Sequence, residues 1–181
     1  MTHRISLLSS AARRLLPAAC FVLAILAGRA DAQTIANPGF EQDLTDWSTA
    51  YERDMSAASS EAAHSGKFGL RVTDSDPKRM SRLESLAIEA TPGQKYQVTF
   101  WARTVSGDGG VAVSLRFFDE KTKSLSKKPP SISVQKSPEW KQYTVTGLAP
   151  AAAVAFSIVI HSIGTENVTA DLDDFECKPL P

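Results

Sequence analysis

Apolar and polar residues alternate with a period of two along several stretches of the chain. Tyr96, Val98, Phe100 and Ala102 alternate with Gln97, Thr99, Trp101 and Arg103. Val111, Val113, Leu115 and Phe117 alternate with Ala112, Ser114, Arg116 and Phe118. Phe156, Ile158 and Ile160 alternate with Ser157, Val159 and His161. Successive side chains of a strand point to opposite faces, so each pattern predicts a strand with one face in a core and the other turned outward. Shorter stretches at 68–73, 83–88, 140–145 and 168–175 carry the same signature. Turn signals separate them: Thr91-Pro92-Gly93, the glycine-rich run from Ser106 to Gly110, Lys128-Pro129-Pro130 and Ser137-Pro138. No segment beyond residue 32 keeps a helical apolar stripe. Eight or more strands in about 150 residues predict an all-β fold, a two-sheet antiparallel β-sandwich of jelly-roll type.

The first 32 residues follow another pattern. Arg4, Arg13 and Arg14 form a basic start, and an apolar run from Leu15 to Ala27 follows, broken by Pro17. The run closes on Ala30-Asp31-Ala32. Basic start, apolar run and small-x-small site are the layout of a secretory signal peptide, and the run is shorter than the roughly 20 residues that span a membrane. The expected organisation is a cleaved signal peptide at 1–32 and a single domain at 33–181. That domain would be exported, periplasmic or extracellular, with no membrane span after cleavage.

This division changes the meaning of the charge balance. The whole chain carries 20 basic and 20 acidic residues. Residues 1–32 hold four basic residues and one acid, so 33–181 keeps 16 against 19, a net −3. Such a domain gives no reason to expect nucleic acid as a partner. Cys20 lies in the removed segment and Cys177 stays alone. A small exported domain without a disulfide is held by its core or by a metal. The stretch 119–136 stands out, with Lys121, Lys123, Lys127, Lys128 and Lys136 among serines and a proline pair. It reads as a long solvated loop with a short strand at 131–134, the reading usual for surface charge runs, or as a basic lip for an acidic ligand.

An ordered set of short motifs runs through 33–181. Asn37-Pro38-Gly39-Phe40-Glu41 leads to Asp46-Trp47-Ser48, then to His64-Ser65-Gly66-Lys67-Phe68-Gly69-Leu70-Arg71-Val72. Pro92-Gly93-Gln94-Lys95-Tyr96 precedes Phe100-Trp101-Ala102-Arg103, and Trp140 and Leu172-Asp173-Asp174-Phe175 follow. In order and spacing the set, covering about residues 35 to 177, resembles the CenC-type carbohydrate-binding modules of families 4, 9, 16 and 22, which share a galactose-binding-like β-sandwich.

The resemblance implies a non-catalytic module that binds a polysaccharide or oligosaccharide on the concave outer face of one sheet and holds a structural calcium ion. For calcium it implies the carboxylate of Glu41, backbone carbonyls of the Ser65-Gly66-Lys67 turn (Ser65 and Lys67), and Asp173 with Asp174 as the alternative. Such hard oxygen ligands suit calcium. For the sugar, the outward sets supply Trp101, Arg103, Ser114, Arg116, Phe118, Ser157 and His161, with Tyr51 at one end of the cleft. Aromatic rings suit the apolar faces of pyranoses, and Arg, Ser and His bond hydroxyls. Trp101 and Phe118 equally fit packing under a loop, His161 fits a plain histidine, and Trp47 is read as core. Ser157 stands where some relatives carry a longer amide, and Val159 and Ala112 offer a sugar nothing polar, which points away from classical glucan-chain binding.

No nucleophile elbow, zinc-protease motif or phosphate loop is present. Asp173 and Asp174, as strand neighbours, are expected on opposite faces and make a poor pair for glycoside hydrolysis. The chain is therefore expected not to be an enzyme, and to be a monomer. Two other readings stay open: a calcium-stiffened structural or adhesive envelope protein with a protein partner, and an activity linked to glycoside hydrolases.

Overall fold

The computed structural model describes residues 34–49 and 54–181. The expected signal peptide and Tyr51 lie outside the described residues. Twelve strands follow one another: β1 (Glu41–Leu44), β2 (Trp47–Ser48), β3 (Ser56–Ser59), β4 (Gly69–Asp74), β5 (Arg82–Ser85), β6 (Ile88–Glu89), β7 (Lys95–Gly107), β8 (Gly110–Phe118), β9 (Ser131–Ser133), β10 (Lys141–Leu148), β11 (Ala155–Ile163) and β12 (Val168–Leu180). A single 3-10 turn, Ser60–Ala62, is the helical element among the described residues.

The strands form two antiparallel sheets, as the alternation predicts. The five-stranded sheet has the order β10-β7-β12-β4-β3, and the other sheet runs β2-β5-β11-β8-β9 with β6 also on β11. The alternating residues fall where their pattern puts them. Val98, Phe100 and Ala102 of β7 and Leu115, Ile158 and Ile160 of the facing sheet are fully buried between the layers. Phe100 stacks on Phe175 at 5.0 Å and on Tyr143 at 5.6 Å. Phe156 packs against both Tyr96 and Phe117. Offset aromatic pairs of this kind add about 0.5–1.5 kcal/mol beyond the area they bury.

The N-terminal segment seals one end of the core. Trp47 is buried, as read from the sequence, with its ring 5.0 Å from Phe40 and 5.5 Å from Phe175. Its indole N–H donates to the Asn37 carbonyl at 3.1 Å. Phe40 adopts φ +55, a left-handed conformation costly for a bulky residue. Its complete burial and the Asn37 side chain, which donates to the carbonyls of Asp43 and Thr45 at 2.8 and 2.9 Å, hold that turn in place. The short strands β1 to β3 carry little alternation, so periodicity did not predict them. The strand expected inside the Lys-rich stretch is present as β9.

Candidate functional site

The outer face of the β8 sheet floors a cleft. Register sets its columns. Val159 of β11 lies between Ser114 of β8 and Glu84 of β5, Ser157 pairs with Arg116, and His161 lies between Ala112 and Arg82. Side chains of these residues therefore share one face. Glu84 organises it. Its carboxylate accepts from the Ser157 hydroxyl at 2.6 Å, from Arg82 Nη2 at 2.9 Å and from Arg116 Nη1 at 3.3 Å. Burial pushes the Glu84 carboxyl upward, but the hydrogen bonds from Ser157 and Arg82 and the charges of Arg116 and Arg82 outweigh it and hold the group below the usual carboxylate range. The Arg116 guanidinium also lies over the Phe118 ring, 4.9 Å from its centroid.

Over this face opens a cleft of about 680 Å³. Ser114, Arg116, Val159 and His161 line it from the sheet, and Lys78 to Arg82 line it from the segment before and into β5. Ser124, Ser126, Lys127 and Pro129 of the Lys-rich stretch complete it. Of the two readings of that stretch, solvated loop or basic lip, the structure pins its start beside β8, with Leu125 N–H donating to the Phe117 carbonyl at 2.9 Å and Phe118 bridging Ser124. His161 is half-buried, and its Nδ1 has no partner among the described residues. Burial, and then the charge of Arg82, lower its imidazole below the ordinary value, which leaves it neutral near pH 7.

Of the residues expected to meet a sugar, the cleft gathers Ser114, Arg116 and His161. Ser157 is buried under it and holds Glu84, and Phe118 supports Arg116. Trp101 and Arg103 require a correction: they lie on the other sheet. The alternation in β7 fixes which side chains point outward, but only strand pairing decides the sheet, and β7 pairs with β10 and β12. There Trp101 stacks on His64 at 4.2 Å, and Trp140 meets His64 edge-on at 5.2 Å. Arg103 lies over Trp140 at 4.8 Å and donates to Asp171 at 2.9 Å and to the Glu61 carbonyl at 2.7 Å. Sequence reading missed Glu84, Arg82 and the 78–81 segment. The Arg82-Leu83-Glu84 alternation at the start of the short strand expected over 83–88 was the available signal.

The residues expected around calcium do converge on one turn. Glu41 Oε1 accepts from Lys67 N–H at 2.7 Å and from Phe68 N–H at 3.1 Å. Asp173 Oδ2 accepts from His64 N–H at 2.8 Å and Ser65 N–H at 3.1 Å. A Cβ on Gly66, whose φ is +66, would fall 2.1 Å from Glu41 Oε1, so glycine is what lets the turn close on that carboxylate. Asp173 and Asp174 do not point to opposite faces as strand neighbours should. The pairing of β12 shifts between Asp173 and Glu176, and Asp174 takes φ +53. The bulge swings Asp174 to the same turn, where it meets His64 Nδ1 at 2.6 Å and accepts from Ser65 Oγ at 2.7 Å. Burial raises the Asp173 carboxyl, against the pull of hydrogen bonds from Ser65, His64 and Asp174 N–H. Among the described residues, no three His, Cys, Asp or Glu side chains gather in metal-binding geometry.

Two antiparallel sheets packed face to face define a β-sandwich, with a polar cleft on one outer face. The carbohydrate binding domain family of types 4 and 9 matches residues 32–167, and the chain belongs to that family. No curated protein is significantly similar to it in sequence. Several solved structures share the fold. The enzymatically active domain of bacteriophage CBA120 tailspike protein 4 superposes with a TM-score of 0.68 at 12% identity over 82% of this chain. The chain spans 21% of that tailspike's length. A cyclase from Fischerella sp. TAU, in complex with 4-(1H-indol-3-yl)butan-2-one, gives 0.65 at 17% identity, covering 84% of this chain and 98% of its own. TmCBM61 in complex with β-1,4-galactotriose gives 0.56 at 20% identity, covering 80% and 97%. Identities this low speak to the fold alone. No helix among the described residues is long and apolar enough to cross a membrane.

Proposed function

We propose that the protein is an exported, non-catalytic carbohydrate-binding module that takes a saccharide in the cleft over β5, β11 and β8. The observation that carries this reading is the polar floor: Arg116, Ser114 and His161 are presented side by side on rigid strands, with Arg116 braced by Glu84 and Phe118. Fixed donors on a preorganised surface suit sugar hydroxyls, because little side-chain entropy is lost on binding. Family membership supports the same ligand class. The non-catalytic reading is supported by the state of Glu84. It is tied to Ser157, Arg82 and Arg116 and held ionised, which suits a brace and not a proton donor.

Calcium belongs to the same reading. Glu41 and Asp173 bring carboxylate oxygens to the 64–67 turn from opposite ends of the chain, and carbonyls of Ser65 and Lys67 with water would complete an all-oxygen shell. A cation there would tie β1 and β12 to that turn in a domain with one cysteine, Cys177, whose thiol burial pushes up to about 12. Export rests on the signal-peptide pattern of residues 1–32.

The test is retention on a panel of immobilised polysaccharides, with Arg116→Ala as the variant. Binding to at least one glycan, reduced about tenfold by Arg116→Ala at unchanged melting temperature, is expected from the loss of a charge-assisted hydrogen bond. A folded protein that binds no glycan in the panel refutes the reading and favours a structural or adhesive role with a protein partner.

A further inference from the structure

Resting on that reading of the cleft, we infer that its ligand is an acidic glycan, one whose sugars carry carboxylate or sulfate groups. Five cations line the cleft: Lys78, Arg79, Arg82, Arg116 and Lys127. Among the described residues no Asp or Glu lines it. Three carboxylates nearby offset part of this charge, the first being Asp74, which accepts from Ser81 N–H at 3.3 Å. Asp76 pairs with Arg79, and Glu84 pairs with Arg82 at 2.9 Å and with Arg116 at 3.3 Å. Lys78 and Lys127 form no ion pair among the described residues. The cleft therefore keeps a surplus of positive charge, although residues 33–181 together are acidic, 16 basic against 19 acidic. A recess lined by one sign of charge on a body of the other sign concentrates counter-charged ligands and steers them in.

The rest of the lining fits an acidic sugar better than a neutral chain. A neutral polysaccharide is gripped chiefly by aromatic rings stacked on its pyranose faces. Among the described residues no Trp, Tyr or Phe lines the cleft. The Phe118 ring carries the Arg116 guanidinium on its face. What the cleft offers instead is guanidinium forks, which match carboxylate and sulfate oxygens, beside the hydroxyls of Ser114, Ser124 and Ser126. Glu84 holds the two strand-borne guanidiniums in place before any ligand arrives. The Lys-rich stretch acquires a purpose in this arrangement, since Lys127 joins Lys78 to Arg82 in lining the cleft.

The experiment compares the purified protein with the double variant Lys78→Glu/Lys127→Glu. Affinity electrophoresis would use gels loaded with polygalacturonate, alginate, dextran sulfate, neutral xylan, neutral β-glucan or polyglutamate. Neither lysine side chain forms an ion pair among the described residues, so the variant should melt with the native protein. Retention by a uronate or sulfated polysaccharide, at least about tenfold weaker in the double variant and weakened by added salt, is the expected result. Uronate against sulfate retention identifies which anion is read. Binding to a neutral polysaccharide with equal affinity in both proteins overturns the inference and leaves the carbohydrate-binding reading standing. Equal retention by polyglutamate also overturns it, because the cleft would then read charge without sugar. A folded protein retained by none of these gels overturns the inference and the proposed function together.

Discussion

Asp171→Asn tests whether the outer face of the β7 sheet is a brace or a second binding surface. Asp171 is completely buried, although its side chain rises from an outward position of β12. It is covered by its cross-strand neighbours: Arg71 of β4 and Arg103 of β7 pair with it in register on either side. Arg71 donates to it at 2.8 and 3.1 Å, and Arg103 at 2.9 Å. Arg71 is in turn held by Glu61, and the two carboxylates raise its already high basicity, Asp171 first. An asparagine keeps the shape but removes the charge and turns an amide N–H toward a guanidinium. Leaving a buried ionic group without its partner costs about 3–5 kcal/mol. The guanidiniums are 22% and 28% exposed, so solvent screens part of this and the lower end applies. A loss of about 3 kcal/mol corresponds to a fall of roughly 6–12 °C in melting temperature for a domain of this size. Urea unfolding of Asp171→Asn, Arg103→Met and the double variant would measure it, with a coupling energy of about 1–2 kcal/mol expected between the two sites. Arg103→Met should lower stability and leave glycan binding unchanged. A loss below about 1 kcal/mol, the usual value of an exposed pair, would refute the argument from burial. So would a stable Arg103→Met protein that no longer binds glycan.

Three further outcomes follow from the structure. His161 has its imidazole lowered in the folded state by burial and by Arg82, so the unfolded chain binds the proton more readily as pH falls. Its contribution to stability is present above the ordinary imidazole range and lost as pH drops through the folded value. His161→Gln should therefore flatten the melting temperature between about pH 5 and 7, and an unchanged slope would sink the assignment. At the 64–67 turn, Gly66→Ala combines φ +66 with a Cβ 2.1 Å from Glu41 Oε1 and should cost about 2 kcal/mol with or without chelator. In calcium-loaded protein, EDTA should lower the melting temperature and Glu41→Gln should remove most of that difference. An identical melt with and without EDTA would dispose of the calcium site.

The alternating patterns at 96–103, 111–118 and 156–161 determined the all-β class and the inward and outward faces of β7, β8 and β11. They did so because a strand has only two faces, and burial of one is written in its period of two. The motif order from Asn37 to Phe175 carried the family and located Glu41, Gly66 and Asp173 as one group. Tertiary structure decided the rest. Strand order, set by non-local pairing, put Trp101 and Arg103 on the sheet opposite Arg116 and His161. The bulge in β12, which no local pattern announces, brought Asp174 to the side of Asp173. The meaning of Lys127 also waited on the fold, because a charge in a loop acquires a sign-specific role only when other elements close a recess around it. Arg82 of β5 lines that recess and Glu84 braces its floor because β5 pairs with β11, more than 70 residues later in the chain.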